Sequence, residues 1–185
     1  RLFNETKEAL EQQSASAEVL QVIGSSMSDA TPVFAKVLDS CRRVVDCSHA
    51  CIALVGADGL MHLASQVHAG DDSRAEGAAR VFAAGFPRLA RQTIQGYAIH
   101  KRRALHFPDI QNGPGVPEAL RDSVRLFGNY STVDVPMFWE GQGIGALSVA
   151  RFPPRPFSEK EIALLETFTR QAAIAIENAR LFQEA

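Results

Sequence analysis

Apolar and polar residues alternate along Tyr130 to Phe152 (YSTVDVPMFWEGQGIGALSVARF), on both sides of Glu140-Gly141-Gln142. A period of two predicts two antiparallel strands around a three-residue turn, with Gly141 or Gly143 supplying a positive φ. That turn sets Asp134 opposite Ser148 and Thr132 opposite Ala150. One face then carries Val133, Val135, Met137, Gly145, Leu147 and Val149, an apolar set suited to a core under helices. The other carries Tyr130, Thr132, Asp134, Ile144, Ala146, Ser148 and Ala150, too polar for a core and too apolar for open solvent. It reads either as the wall of a pocket or as a partly wetted sheet face.

The period changes elsewhere. Arg1 to Ile23, rich in Glu, Gln, Ala and Leu without Gly or Pro, predicts a helix with a sparse apolar stripe of Leu2, Phe3, Leu10, Ala17, Leu20 and Ile23. Gly24 to Asp29 should break it, and Pro32 opens a second helix ending near Asp46, with Val33, Phe34, Val37, Leu38, Cys41, Val44 and Val45 on one face. Cys47 to Val55 and Leu60 to Gln66 predict a second hairpin, Ile52 and Leu54 facing one way, Cys47, His49, Cys51 and Ala53 the other. Helices are expected over Glu76 to Ala84, Leu89 to Arg103 and Pro117 to Phe127, with a short strand at Leu105 to Phe107. Ser158 and Glu161 form a capping box for a last helix of about 40 Å. Its Leu165, Phe168, Ala172, Ala175, Ala179 and Phe182 fall on a heptad seam, which predicts pairing with a second helix. Arg180-Leu181-Phe182-Gln183-Glu184 echoes Arg1-Leu2-Phe3-Asn4-Glu5, as it would if one unit of a tandem array flowed into the next.

Composition narrows the chemistry. The 185 residues carry a formal net charge of −2, which offers no long-range attraction for nucleic acid or an anionic membrane. No apolar run is long enough to span a bilayer. Three clustered cysteines, Cys41, Cys47 and Cys51, do not make a disulfide framework, and a cytoplasmic location is expected. Cys47, His49 and Cys51 alternate on one strand face, but positions two apart lie nearly 7 Å from each other; a metal is not expected. His100-Lys101-Arg102-Arg103 with His106 could hold an anion or simply offset a helix dipole. Asp134 is costly in mid-strand unless it is paired. A ligand, Tyr130 or a basic neighbour could satisfy it.

The order of these segments resembles a GAF domain over Thr31 to Leu181. The residues that carry the match are Cys47 to Val55 with Asp58-Gly59, LHFPDI at Leu105 to Ile110, STVDVPM at Ser131 to Met137, GQGIGALSV at Gly141 to Val149, and Phe157 to Ala185. The resemblance implies an α+β fold, GAF/PAS-like, whose central antiparallel sheet has a helical bundle on one face and a pocket on the other. It divides the chain into a signalling or linker helix (1–30), a sensory core (31–157) and an exit helix (158–185). Pocket residues expected on that fold are Cys51, Ala53, Tyr97, Phe127, Tyr130, Thr132, Asp134 and Ser148.

Departures from the family also inform. The Asn-Lys…Phe…Asp-Glu pattern of cyclic-nucleotide binders is missing, and no cysteine follows Cys51 to attach a phytochrome-like pigment. Nothing supports a bilin, haem or metal, and the ligand stays unassigned. The expectation is a non-enzymatic regulatory domain of a cytoplasmic bacterial signalling protein, ahead of a histidine kinase or a nucleotide cyclase. It would be a homodimer through its terminal helices, with an unknown small-molecule ligand and neighbouring signalling domains as partners. A ligand-free dimerisation spacer is the alternative. A cysteine-dependent methionine sulfoxide reductase is more remote, because all three thiols are predicted on a helix or strand rather than on loops over the pocket.

Overall fold

The computed structural model describes residues 1–25, 29–70 and 73–184. Six strands form one antiparallel sheet in the order β3-β2-β1-β6-β5-β4: β1 His49–Val55, β2 Leu60–His68, β3 Arg88–Leu89, β4 Leu105–Phe107, β5 Ser131–Trp139 and β6 Gln142–Arg151. The α+β architecture with a central antiparallel sheet is as the sequence predicts.

The β5–β6 register sets Asp134 opposite Ser148 and Thr132 opposite Ala150. The turn, however, has two residues, Glu140 (φ 50°) and Gly141 (φ 79°), both in the left-handed region that such tight hairpins require. The extra residue sits one step further on, as a bulge that leaves Ile144 without a partner between Gly143 and Gly145. The pairing beyond it is the same, but Ile144 packs toward the helical core instead of the pocket face.

On one face lie α1 (Leu2–Ser25), α2 (Thr31–Val45) and α7 (Glu159–Glu184). α2 opens with Pro32 in its first turn and closes on Asp46 in the left-handed region (φ 53°). The capping box of α7 is formed: Ser158 N–H donates to Glu161 Oε1 (2.8 Å) and Glu161 N–H to Ser158 Oγ (3.1 Å). Val33, Phe34, Val37, Leu38 and Cys41 of α2 meet Ile52, Val133, Val135, Met137, Leu147 and Val149 of the sheet. Leu165, Phe168, Ala172 and Ala175 of α7 complete this core.

That placement corrects the expected seam. Leu165 and Phe168 are fully buried within their own chain, so they are not available to a partner helix. The helical face exposed to solvent carries other apolar residues, Leu2, Phe3 and Leu10 on α1 and Ile174 and Leu181 on α7. α1 continues through Gly24 and Ser25, where a break was expected; Ser26 to Ser28 and Ala185 lie outside the described residues, as do the side chains of Ala17, Leu20, Ile23 and Phe182.

The opposite face is covered by α3 (Ser73–Ala84), α4 (Ile94–Lys101), α5 (Glu118–Arg121) and α6 (Val124–Phe127). The single helix expected over Leu89 to Arg103 is divided. Leu89 pairs with Leu60 in the sheet, Ala90–Gln92 make a 3-10 turn, and Thr93 turns extended to cap α4 by accepting Gly96 N–H (2.9 Å). Pro117 to Phe127 likewise splits into α5 and α6.

Candidate ligand-binding cavity

A cavity of about 290 Å³ opens over the polar end of the sheet. Its floor is His49 and Cys51 of β1, Thr132 and Asp134 of β5, and Ser148 and Ala150 of β6. Alternation places these side chains opposite the helical core, because Ala50, Ile52, Val133 and Val149 take the other face. Walls and roof come from Val81 and Phe82 of α3, Phe86, Gln95 of α4, Leu120 of α5 and Phe127 of α6.

Six of the eight expected pocket residues are brought together here: Cys51, Phe127, Tyr130, Thr132, Asp134 and Ser148. Ala53 and Tyr97 are not. Ala53 is two residues further along β1 opposite Ala146, toward the end of the sheet that α4 covers, where Ile99 already fills the space beside Gly143. Tyr97 packs with Ala98, Leu105 and Phe107 in a second small core, and Lys101 Nζ lies 5.5 Å from its ring centre. The structure adds residues the sequence did not single out. Gln95 is buried and its Nε2 donates to Ser148 Oγ (3.0 Å). Phe82 stacks edge-on against both His49 and Phe86, each at 5.1 Å, and Phe152 leans on Tyr130 at 5.2 Å.

Asp134 is the polar centre of the floor and is wholly buried. Its Oδ2 accepts from Thr132 Oγ1 (3.1 Å), while Oδ1 has no hydrogen-bond partner. Of the partners considered from sequence, Tyr130 is engaged elsewhere, its hydroxyl 2.7 Å from Ser123 Oγ. No basic side chain among the described residues pairs with Asp134. Burial therefore pushes its carboxyl up to about 7, against the pull of the Ser148 and Thr132 hydroxyls.

A stability prediction follows from that shift. In the folded chain Asp134 keeps a proton that the unfolded chain releases near 3.8, so its contribution is complete below that pH and is lost as pH rises through about 7. The loss approaches roughly 4 kcal/mol above pH 8, at 1.36 kcal/mol per unit. Asp134→Asn removes the titration and should be increasingly more stable than the wild type from pH 5 to pH 8.5 in urea melts. A stability difference independent of pH would contradict the burial of this carboxyl.

The cysteines do not converge. Cys41 and Cys47 lie in the helical core, so Cys47 is not on the pocket side, and only Cys51 reaches the cavity. Among the described residues no group of three His, Cys, Asp or Glu side chains is placed to hold a metal. Burial pushes the Cys47 thiol up to about 12 and holds Cys41 and Cys51 well above the ordinary range, which favours the protonated thiol at all three. The basic cluster is also dispersed. Arg102 lies over the Phe138 ring, and His106 Nε2 accepts Phe157 N–H (3.2 Å) on the far side of the sheet.

The six-stranded antiparallel sheet, with helices on both faces and a cavity over one of them, defines the class as an α+β domain with a roofed cavity. The chain belongs to the GAF domain family, whose profile matches residues 29–176. None of the proteins of curated function matches it. Among solved structures it is similar to the GAF domain/HD domain protein of Geobacter sulfurreducens (21% identity, TM-score 0.67, covering 84% of this chain and 97% of that one). It is also similar to the GAF domain of a phosphoenolpyruvate-protein phosphotransferase from Coxiella burnetii (14%, 0.71, 96% and 99%). A third is the free methionine-R-sulfoxide reductase of Neisseria meningitidis in complex with its substrate (17%, 0.70, 95% and 93%). At these identities the likeness is one of fold. No helix among the described residues is long and apolar enough to cross a membrane.

Proposed function

We propose that the chain is a small-molecule-sensing regulatory domain of a cytoplasmic bacterial signalling protein. The observation that carries this reading is the buried carboxyl of Asp134, its Oδ1 without a hydrogen-bond partner, on the floor of a roofed cavity. A passive spacer gains nothing from such a group, since an apolar residue there would be more stable. Residues 31–157 act as the sensory core, 1–30 as the incoming helix and 158–185 as the exit helix toward a histidine kinase or cyclase. The floor strands β5 and β6 also form the bed of α7, so a shift in the floor on binding changes how α7 is seated. The exposed pairs Phe3/Leu10 and Ile174/Leu181, each seven residues apart, supply the contacts of a homodimer through the terminal helices. The buried, protonated thiols argue against a reductase.

The test is thermal unfolding of the chain in fractions of a dialysable bacterial metabolite extract. A ligand that binds only the folded state adds about 2.7 kcal/mol of stability at 100 times its Kd. A reproducible rise in Tm with at least one fraction is expected. No rise with any fraction would favour the ligand-free spacer.

A further inference from the structure

The cavity floor carries a buried carboxyl with one unpartnered oxygen, and its walls are partly aromatic. Asp134 Oδ1 has no partner, and the other ionisable groups facing the cavity supply no buried positive charge. His49 of β1 is pushed toward its neutral form by burial, and it shares a hydrogen bond with Gln66 Oε1 at 2.9 Å. Burial keeps Cys51 and Tyr130 protonated, and Arg88 and Asp122 sit on the exposed rim. The elements packed nearest Asp134 offer Leu105 from β4, Ser148 from β6 and Gln95 from α4; His100 and Lys101 lie at the exposed end of α4. Phe82, Phe86, Phe127 and Phe152 line the same cavity.

A carboxylate on the floor of a cavity with aromatic walls has the chemistry of a cation receptor. The ring faces attract positive charge, the attraction grows as water is excluded, and the carboxylate accepts N–H donors. Size limits the guest. The cavity of about 290 Å³ lies at the lower end of the range of small-molecule sites, which favours a compact guest.

We propose that the cavity binds a small organic cation, an amine or amidine with a compact apolar body, whose N–H group donates to Asp134 Oδ1. This deepens the ligand-sensing reading above and rests on it. Binding requires the carboxylate form, so affinity for a permanently protonated guest rises as pH passes through the neutral range and then levels off. A neutral amide of the same shape has no such dependence.

Benzamidine, benzamide and benzoate form a matched cationic, neutral and anionic set of suitable size. Isothermal titration of the 185-residue chain and of Asp134→Asn with each, from pH 6 to pH 8.5, decides the matter. Benzamidine should bind the wild type most tightly at high pH and lose about 10- to 100-fold in Asp134→Asn, while benzamide does not. If benzamide or benzoate binds the wild type as tightly as benzamidine does, or Asp134→Asn leaves benzamidine unchanged, the cation is wrong and a small-molecule cavity remains. If none of the three binds at millimolar concentration, the cation is again wrong, and the sensing reading then depends on the metabolite-extract result alone.

Discussion

Replacing Phe168 with Asp should leave no folded domain. Phe168 is the largest wholly buried side chain among the described residues, packed in the core shared by α2 and the sheet with Leu165, Ala172 and Ala175 of its own helix. Truncating such a ring costs about 3–5 kcal/mol. Burying a carboxyl without a partner adds several more, together close to the roughly 5–15 kcal/mol that holds a domain together. Circular dichroism in water should show the loss directly, while Phe168→Leu, which nearly keeps the volume, should melt cooperatively. A Phe168→Asp chain that is folded with a wild-type melt would return this residue to an inter-subunit seam, as its heptad spacing first suggested.

Arg151→Met should be the next most damaging change, by about 3–5 kcal/mol in urea denaturation. The guanidinium is buried at the end of β6 and joins three elements. Its Nε donates to Asp46 O (2.8 Å) and its Nη2 to Val45 O, capping the last turn of α2; its Nη1 donates to Pro156 O (2.8 Å). Nη2 also meets Glu161 Oε2 in the capping box of α7, and the group lies 3.9 Å from the centre of the Phe157 ring. Methionine fills the space but leaves these carbonyls and Glu161 without their donor. Lysine restores charge without the planar fork and should recover less than half of the loss. A cost below about 1 kcal/mol for Arg151→Met would show that α2 and α7 are fastened by other means.

These two residues also show what the sequence could and could not disclose. The alternation in Tyr130 to Phe152 placed Asp134, Thr132 and Ser148 on one face because a strand's period is fixed by its backbone. It could not locate the extra residue, since a three-residue turn and a two-residue turn with a bulge at Ile144 give the same register beyond it. Periodicity likewise marked the buried stripe of α7 but not what it faces, because a helix pairing with a partner and one lying on its own sheet bury the same positions. Arg151 looks like an ordinary strand-end cation, its backbone partners on α2 lying 105 and 106 residues earlier. Gln95 and the phenylalanines of α3 and its following loop carry no local signal of a cavity. Their role depends on how α3 and α4 are laid across the sheet. Ala53 shows the same limit in reverse, since alternation gave its face but not how far the cavity extends along β1.

The central claim is that the cavity above Asp134 holds a small molecule in the cell. Native mass spectrometry of the gently purified chain beside its Asp134→Asn variant tests it most directly, since one spectrum reports both subunit count and retained mass. The account predicts a dimer carrying a reproducible extra mass in the wild type, with that mass reduced or absent in the variant. Clean, ligand-free spectra from both would contradict it.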